Sequence, residues 1–319
     1  MENLTILVGT DVGEQDVAVM RDAFPTLRFL FCPEAAEFVA AASEADIMFS
    51  KGLPAGAMRV ATKLRWFQAG TAGINHLLDA GLSQRNVILT NASGAHGVPI
   101  AEMILSMMLA FATGLNQLIR AQSSAKDVRT QVHTTKFELE GQTLCVIGLG
   151  DIGGTLATKA ADLGMRVIGI RRSLRPFPGV AASYTPDRLV EALGQADHVA
   201  LCLPLTKETH GFIGEAQLHA IKPGAYIYNV GRGASIEPNA LLSALREGRL
   251  AGAGLDVTAP EPLPPEHPLW SMPNVLLSQH TSGQSPYNAR RITSIFLDNL
   301  GRYLRGEPLA NVIDLERGY

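Results

Sequence analysis

The chain has 319 residues, 46% apolar and 18% charged, with 27 basic against 30 acidic side chains and a formal net charge of −3. At about 150 residues per domain this length suggests two domains with ample core, and the near-neutral charge leaves no broad basic surface to neutralise a nucleic-acid backbone. The three cysteines, Cys32, Cys145 and Cys202, form no C-x-x-C pair, which excludes a disulfide scaffold and fits a reducing cytoplasmic setting.

Residues 1–10 carry Glu2 and no basic region before a short apolar run, so the N-terminus reads as a first strand and not as a signal peptide. Up to residue 98, β-type runs at 5–8, 47–49, 65–69 and 87–90 alternate with helical segments, the pattern of a small parallel α/β unit. Residues 91–99, interrupted by Gly94, Gly97 and Pro99, read as a crossover. A helix is predicted over 99–118. Its most apolar part, residues 103–112, is about half the roughly 20 residues of a membrane span and has Glu102 at its edge, so it is expected in a protein core.

After Gly141 the alternation becomes regular. Residues 143–147 form a strand, 155–163 a helix with Leu156, Ala160 and Leu163 on one face, and 165–170 the next strand. Further strands are predicted at 198–203, 225–230, 251–257 and 275–278. This is an α/β pattern, a doubly wound parallel sheet of about six strands in the Rossmann manner.

The first of these strands runs into Gly148-Leu149-Gly150-Asp151-Ile152-Gly153 and then a helix. In that context the glycines let backbone amides approach a pyrophosphate at the positive end of the helix, which makes the segment a candidate dinucleotide site. The second strand ordinarily ends in an acid that bonds the adenosine ribose hydroxyls. Here it ends in Arg171-Arg172-Ser173, and two guanidinium groups there favour a 2′-phosphate, hence NADPH/NADP, with NADH/NAD still possible.

Ligands of open α/β sheets bind beyond the carboxyl ends of the strands. The polar residues just past the last three strands are Arg232, Glu261 and His280. Arg232, between Gly231 and Gly233, suits a two-pronged contact with a 2-oxo carboxylate and can polarise the adjacent carbonyl. His280 suits a proton donor at neutral pH, and Glu261 can bond the imidazole, hold its tautomer and favour its cation. His280, His267, Glu261 and Asp256 lack metal-ligand spacing, so no metal is expected, and no G-x-S-x-G elbow is present.

These residues, with the segments VIGLGDIGG (146–154), LCLPLTKETHGFI (201–213), NVGRGASIEPNALLSAL (229–245) and AGAGLDVTAPEPLPPEHPLW (251–270), resemble the D-isomer-specific 2-hydroxyacid dehydrogenases, most closely the glyoxylate/hydroxypyruvate reductase group. The resemblance implies Arg232 as the substrate arginine, His280 as the acid/base and Glu261 as its partner. It implies cofactor contacts at Leu203, Pro204, Val230, Gly231, Asp256, Ser282 and Gly283, and substrate-carboxylate contacts from the backbone of Thr71, Ala72, Gly73 and Ile74. It also implies a smaller flavodoxin-like substrate domain, discontinuous in sequence (1–98 and 286–319), around a dinucleotide domain (99–285). The substrate would lie in the cleft of these domains, and the 99–118 helix would help form a homodimer.

Two departures stand out. Many relatives have Pro before the histidine where this chain has Gln279, and the chain stops at Tyr319 without the regulatory extension of some phosphoglycerate dehydrogenases. Glu261 argues against formate oxidation, for which relatives carry glutamine. The expected function is NADPH-preferring reduction of small 2-oxo acids such as glyoxylate or hydroxypyruvate to D-2-hydroxy acids. The partners are then small molecules, with no nucleic acid and no membrane. The rivals are a reductase of bulkier branched or aromatic 2-oxo acids and a nucleotide-sensing corepressor, since fold alone does not fix function.

Overall fold

Buried apolar runs such as Thr5–Val8 (β1), Ile47–Ser50 (β3) and Trp66–Ala69 (β4) hide both faces, as strands of parallel sheets covered by helices do. In the computed structural model, which describes residues 4–9, 12–32, 34–77 and 81–315, they join Arg28–Phe31 (β2) and Ile88–Thr90 (β5) in a parallel sheet of order β2-β1-β3-β4-β5. The chain divides into two units, Met1–His96 with Ser285–Tyr319, and Gly97–Gln284.

The first unit holds its C-terminal return by aromatic packing and a buried polar network. Phe296, in helix Asn288–Arg305, stacks on Phe49 at 4.5 Å and on Trp66 at 5.5 Å. The Trp66 indole donates to Thr90 Oγ1 (2.8 Å), and Thr90 Oγ1 and Asn299 Nδ2 both donate to Gln68 Oε1 (2.8 and 3.2 Å). Each of these buried polar groups has a partner, which is the condition for carrying them in a core.

The second unit contains a seven-stranded parallel sheet, order β12-β11-β10-β9-β6-β7-β8. Its strands are Thr143–Ile147 (β6), Arg166–Ile170 (β7), Ala182–Tyr184 (β8), His198–Leu201 (β9), Ala225–Asn229 (β10), Leu250–Leu255 (β11) and Val275–Leu277 (β12). The strand order reverses between β6 and β9, the place where such sheets open a ligand crevice.

The structure corrects three expectations. The sheet has seven strands and not six, because Ala182–Tyr184 adds an edge, and β2 adds an edge to the smaller sheet. The helix after the glycine loop starts at Asp151 and not at 155, taking Gly153 and Gly154 into its first turns. The predicted 99–118 helix is two helices, Gly97–Thr113 and Leu115–Ser123, bent by 75° at Gly114. Gly114 sits at φ +72, and a Cβ there would lie 2.8 Å from Val132 Cγ1, so the break is set by backbone conformation and packing together. Among the described residues no single helix is long and apolar enough to cross a membrane.

One buried titratable group sets a pH dependence. His198 on β9 stacks on Tyr226 (5.4 Å between rings), with Nε2 against Gln142 Oε1 at 2.5 Å and Nδ1 against the Tyr228 hydroxyl at 3.1 Å. Since the Gln142 oxygen only accepts, Nε2 carries the proton and Nδ1 accepts from Tyr228. Burial lowers this imidazole from 6.5 to about 4. The folded protein therefore keeps His198 neutral where the unfolded chain protonates it, and stability falls as the pH drops from 6.5 toward 4, by about 2 kcal/mol at pH 5 from this residue. Denaturant unfolding at pH 7 and pH 5 should show that loss, and His198→Gln should show a smaller one; equal losses in both proteins would contradict the assignment.

Candidate active site

At the end of β6 the three motif glycines have three different surroundings. Gly148 turns at φ +96, and a Cβ there would meet the Cys202 carbonyl oxygen at 2.9 Å. A Cβ on Gly153 would lie 1.9 Å from the Gly148 carbonyl oxygen, so its bareness packs helix Asp151–Asp162 on the strand. Gly150 differs, because a Cβ there would meet nothing within 4 Å. The protein itself needs two of the glycines, and the middle one leaves open space at a helix N-terminus, where a pyrophosphate would approach backbone amides. Leu149 and Ile152 pack into the core beside them, and Asp151 opens the helix, exposed.

Past β7, the Arg171 guanidinium donates to the Arg175 carbonyl (3.2 Å) and lies 6.0 Å from the Phe177 ring. Arg172 is ion-paired at 3.8 Å with Glu208, both side chains exposed, a pair weak enough to exchange for a better anion. The Ser173 hydroxyl accepts from the Arg175 amide at 3.4 Å. Arg171, Arg172 and Ser173 thus follow directly on β7, with contacts to Arg175 and Glu208.

The Arg232 turn is clamped on both sides. A Cβ on Gly231 would lie 2.5 Å from the Leu203 carbonyl oxygen, and one on Gly233 would lie 2.0 Å from that of Thr258. Asn229, 1% exposed, accepts from the Gly231 amide (3.0 Å) and donates to the Arg232 carbonyl (2.9 Å). Sequence reasoning missed Asn229 as a positioning residue; the signal was an Asn two residues before a glycine, which favours an Asx-type turn. Val230 is buried and its amide donates to the Leu201 carbonyl (3.2 Å). Pro204, in the loop after β9, accepts from the Thr209 hydroxyl at 2.6 Å.

Glu261 and His280 meet. The imidazole Nδ1 is hydrogen-bonded to Glu261 Oε1, with side chains 52% and 39% exposed, respectively. A carboxylate only accepts, so Nδ1 carries the proton and Nε2 is left to face a substrate. The loop bearing His280 is tied to β11. The His280 amide donates to the Asp256 carbonyl at 2.6 Å, and the 3% exposed Asp256 carboxylate accepts from the Ser278 hydroxyl (2.7 Å), the Thr281 and Ser282 amides (3.0 Å each) and the Ser282 hydroxyl. Ser278 is the second residue sequence reasoning missed. Gly283 follows at the end of this loop. Thr71, Ala72, Gly73 and Ile74 belong to the other unit. There they form a turn in which the Thr71 hydroxyl donates to the Gly73 carbonyl (2.9 Å) and Asn91 donates to the Ala72 carbonyl (2.7 Å).

The strand ends thus carry a bare-backbone anion cradle, a fixed guanidinium and an imidazole backed by a carboxylate. This set can bind a dinucleotide, hold an anionic substrate and move one proton. Burial pushes the thiols of Cys145 and Cys202 up to about 12, so neither is a nucleophile at neutral pH.

The profile described as "D-isomer specific 2-hydroxyacid dehydrogenase, NAD binding domain" matches residues 105–282. The chain is 32% identical to a glyoxylate reductase of Korarchaeum cryptofilum over 83% of its own length and 80% of that protein's. Its fold is similar to the NADPH-dependent glyoxylate/hydroxypyruvate reductase of Sinorhizobium meliloti in complex with NADP and sulfate (TM-score 0.85, 26% identity, 99% of this chain and 100% of that one). It is also similar to Rhodotorula graminis D-mandelate dehydrogenase (TM-score 0.85, 25% identity, 98% and 97%).

The surroundings of the glycines predict that Gly150→Ala leaves the melting temperature within about 2 °C, since the methyl group meets no protein atom, yet weakens NADPH binding at least tenfold in a fluorescence titration. Undiminished binding by the variant would mean that no phosphate approaches there.

Proposed function

The chain belongs to the D-isomer-specific 2-hydroxyacid dehydrogenases, NAD(P)-dependent oxidoreductases, and on that premise we propose that it reduces small 2-oxo acids, glyoxylate and hydroxypyruvate first, to D-2-hydroxy acids with NADPH preferred over NADH. The observation that carries the chemistry is the Glu261-backed imidazole of His280 at the end of β12, two strands from the Arg232 turn at the end of β10. The bound nicotinamide supplies the hydride to the substrate carbonyl carbon. Arg232 pairs with the substrate carboxylate and polarises the carbonyl. His280 gives the Nε2 proton to the oxygen as negative charge develops there, and Glu261 holds Nδ1–H and offsets the charge of the cation. Arg171 and Arg172, with no acid at the end of β7, support the preference for a 2′-phosphate.

A larger aromatic 2-oxo acid is the second reading, favoured by the similarity to a D-mandelate dehydrogenase. A panel of glyoxylate, hydroxypyruvate, 4-methyl-2-oxopentanoate and phenylglyoxylate, each with NADPH and NADH, separates the two, and no turnover of any would refute both. On the best substrate His280→Ala lowers kcat by about 10²- to 10⁴-fold, the usual worth of acid catalysis. Glu261→Ala lowers kcat by about 10- to 100-fold, because Nδ1–H loses the acceptor that orients the imidazole. An unchanged kcat would remove Glu261 from this role.

We propose a homodimer as well. Leu109, Leu115, Leu118 and Ile119 on helices Gly97–Thr113 and Leu115–Ser123 are 43, 48, 42 and 58% exposed, apolar side chains that a second subunit would cover. Light scattering should give twice the 34.1 kDa chain mass, and a monomer at micromolar concentration would contradict it.

A further inference from the structure

Two consecutive residues of the His280 loop sit in left-handed backbone, Gln279 at φ +53 and His280 at φ +57. Side-chain-bearing residues rarely adopt this conformation, and they keep it only where the surroundings over-determine it. A proline cannot adopt it, its ring holding φ near about −65°. The loop shape is therefore closed to proline at position 279, and something other than a rigid ring must hold the histidine.

The observed restraint is Asp256, at the end of the neighbouring strand. Its own carbonyl takes the His280 amide at 2.6 Å. Its Oδ1 takes the Ser278 hydroxyl at 2.7 Å and the amides of Thr281 and Ser282 at 3.0 Å each, and its Oδ2 takes the Ser282 hydroxyl. The bonds fall on both sides of the left-handed pair, at 278 before it and at 281 and 282 after it. Asp256 and Ser282 are each 3% exposed, so the two bonds between them form out of water, while those from Ser278 and Thr281 are partly buried. The two anchored flanks bracket the left-handed pair, and from it His280 Nδ1 bonds Glu261.

We infer that Asp256, with Ser278 and Ser282, is a positioning device for His280: it holds residues 279 and 280 in left-handed backbone and so keeps the imidazole on Glu261 with Nε2 aimed for proton transfer. The inference rests on the reductase reading for its effect on rate, and on geometry alone for its effect on the loop. Asp256 acts through His280, and its loss should matter only while His280 is present.

The test is a double-mutant cycle with a structural arm. Asp256→Ala in the otherwise unchanged enzyme should lower kcat on the order of 10²-fold, the scale set by misplacing a catalytic group by about 1 Å. The NADPH Kd, read by fluorescence, should stay within about threefold. In a His280→Ala background the same substitution should change the residual rate less than about twofold. Equal losses in both backgrounds, or a rise in Kd that accounts for the loss, would overturn the inference in favour of a plain cofactor contact or a general structural role. If Asp256→Ala does not fold, Ser278→Ala/Ser282→Ala removes two of the bonds and keeps the carboxylate; a loss of about three- to tenfold, again silent beside His280→Ala, is then expected. A crystal structure of that double variant should show residues 279 and 280 rearranged and the imidazole off Glu261, and an unmoved loop would overturn the inference. This arm reads the clamp whether or not any 2-oxo acid is turned over, whereas a wild-type enzyme without turnover would defeat only the reductase reading.

Discussion

The carboxyl edge of the seven-stranded sheet depends on backbone touching backbone. Gly148 lies against the Cys202 carbonyl, Gly153 against Gly148, Gly231 against Leu203 and Gly233 against Thr258, at distances no Cβ could enter. The Gly153 contact closes the glycine loop on its own helix, and the other three each join the loop after one strand to the loop after another, so the glycine loop, the Leu203 loop, the Arg232 turn and the loop leading to Glu261 form one connected layer. Because parallel strands all end on this side, the layer gathers residues far apart in sequence without long excursions of chain. Glycine's conformational entropy cost is accepted here because any larger residue would pry the loops apart.

Upon this layer the division of labour is sharp. Arg232 and His280, the groups proposed to touch substrate, are partly exposed, as is Glu261 behind the imidazole, whereas Asn229 and Asp256, which hold the loops that carry them, are buried at 1% and 3%. Buried polar groups are tolerable only when their bonding capacity is used, and both are, by backbone and hydroxyl partners of adjoining loops. A side chain held this way needs little reorganisation when charge develops nearby, which is the source of most electrostatic catalysis.

The amino-acid sequence made the central strands legible because parallel strands buried on both faces are dense in Val, Ile and Leu, as in Thr143–Ile147 and His198–Leu201. It hid the edges. Arg28–Phe31 opens with a charge, and Ala182–Tyr184 has three residues of mixed character, because an edge strand buries less and is under weaker compositional demand. The bend at Gly114 was illegible for another reason: a single glycine inside an apolar helical pattern is usually tolerated, and the left-handed φ and the contact with Val132 that make it a break belong to the fold. The trio Arg232, Glu261 and His280 stood out because each follows a strand end, and the motif resemblance fixed their roles. Asn229 and Ser278 did not stand out, since a residue that bonds other loops has a partner only the fold reveals.

The Gln279 departure shows why this limit is physical. Read alone, a glutamine in place of proline suggests a looser loop before the histidine, since a rotatable φ replaces a locked one. The structure reverses that inference: φ at 279 is +53, a value the ring forbids, and the rigidity resides in five hydrogen bonds converging on Asp256. Proline restricts the unfolded chain as well as the folded one, whereas hydrogen bonds restrict the folded chain alone. The two solutions therefore have different consequences: a ring holds the loop regardless of its surroundings, while a buried carboxylate makes the position of His280 conditional on the integrity of β11 and β12.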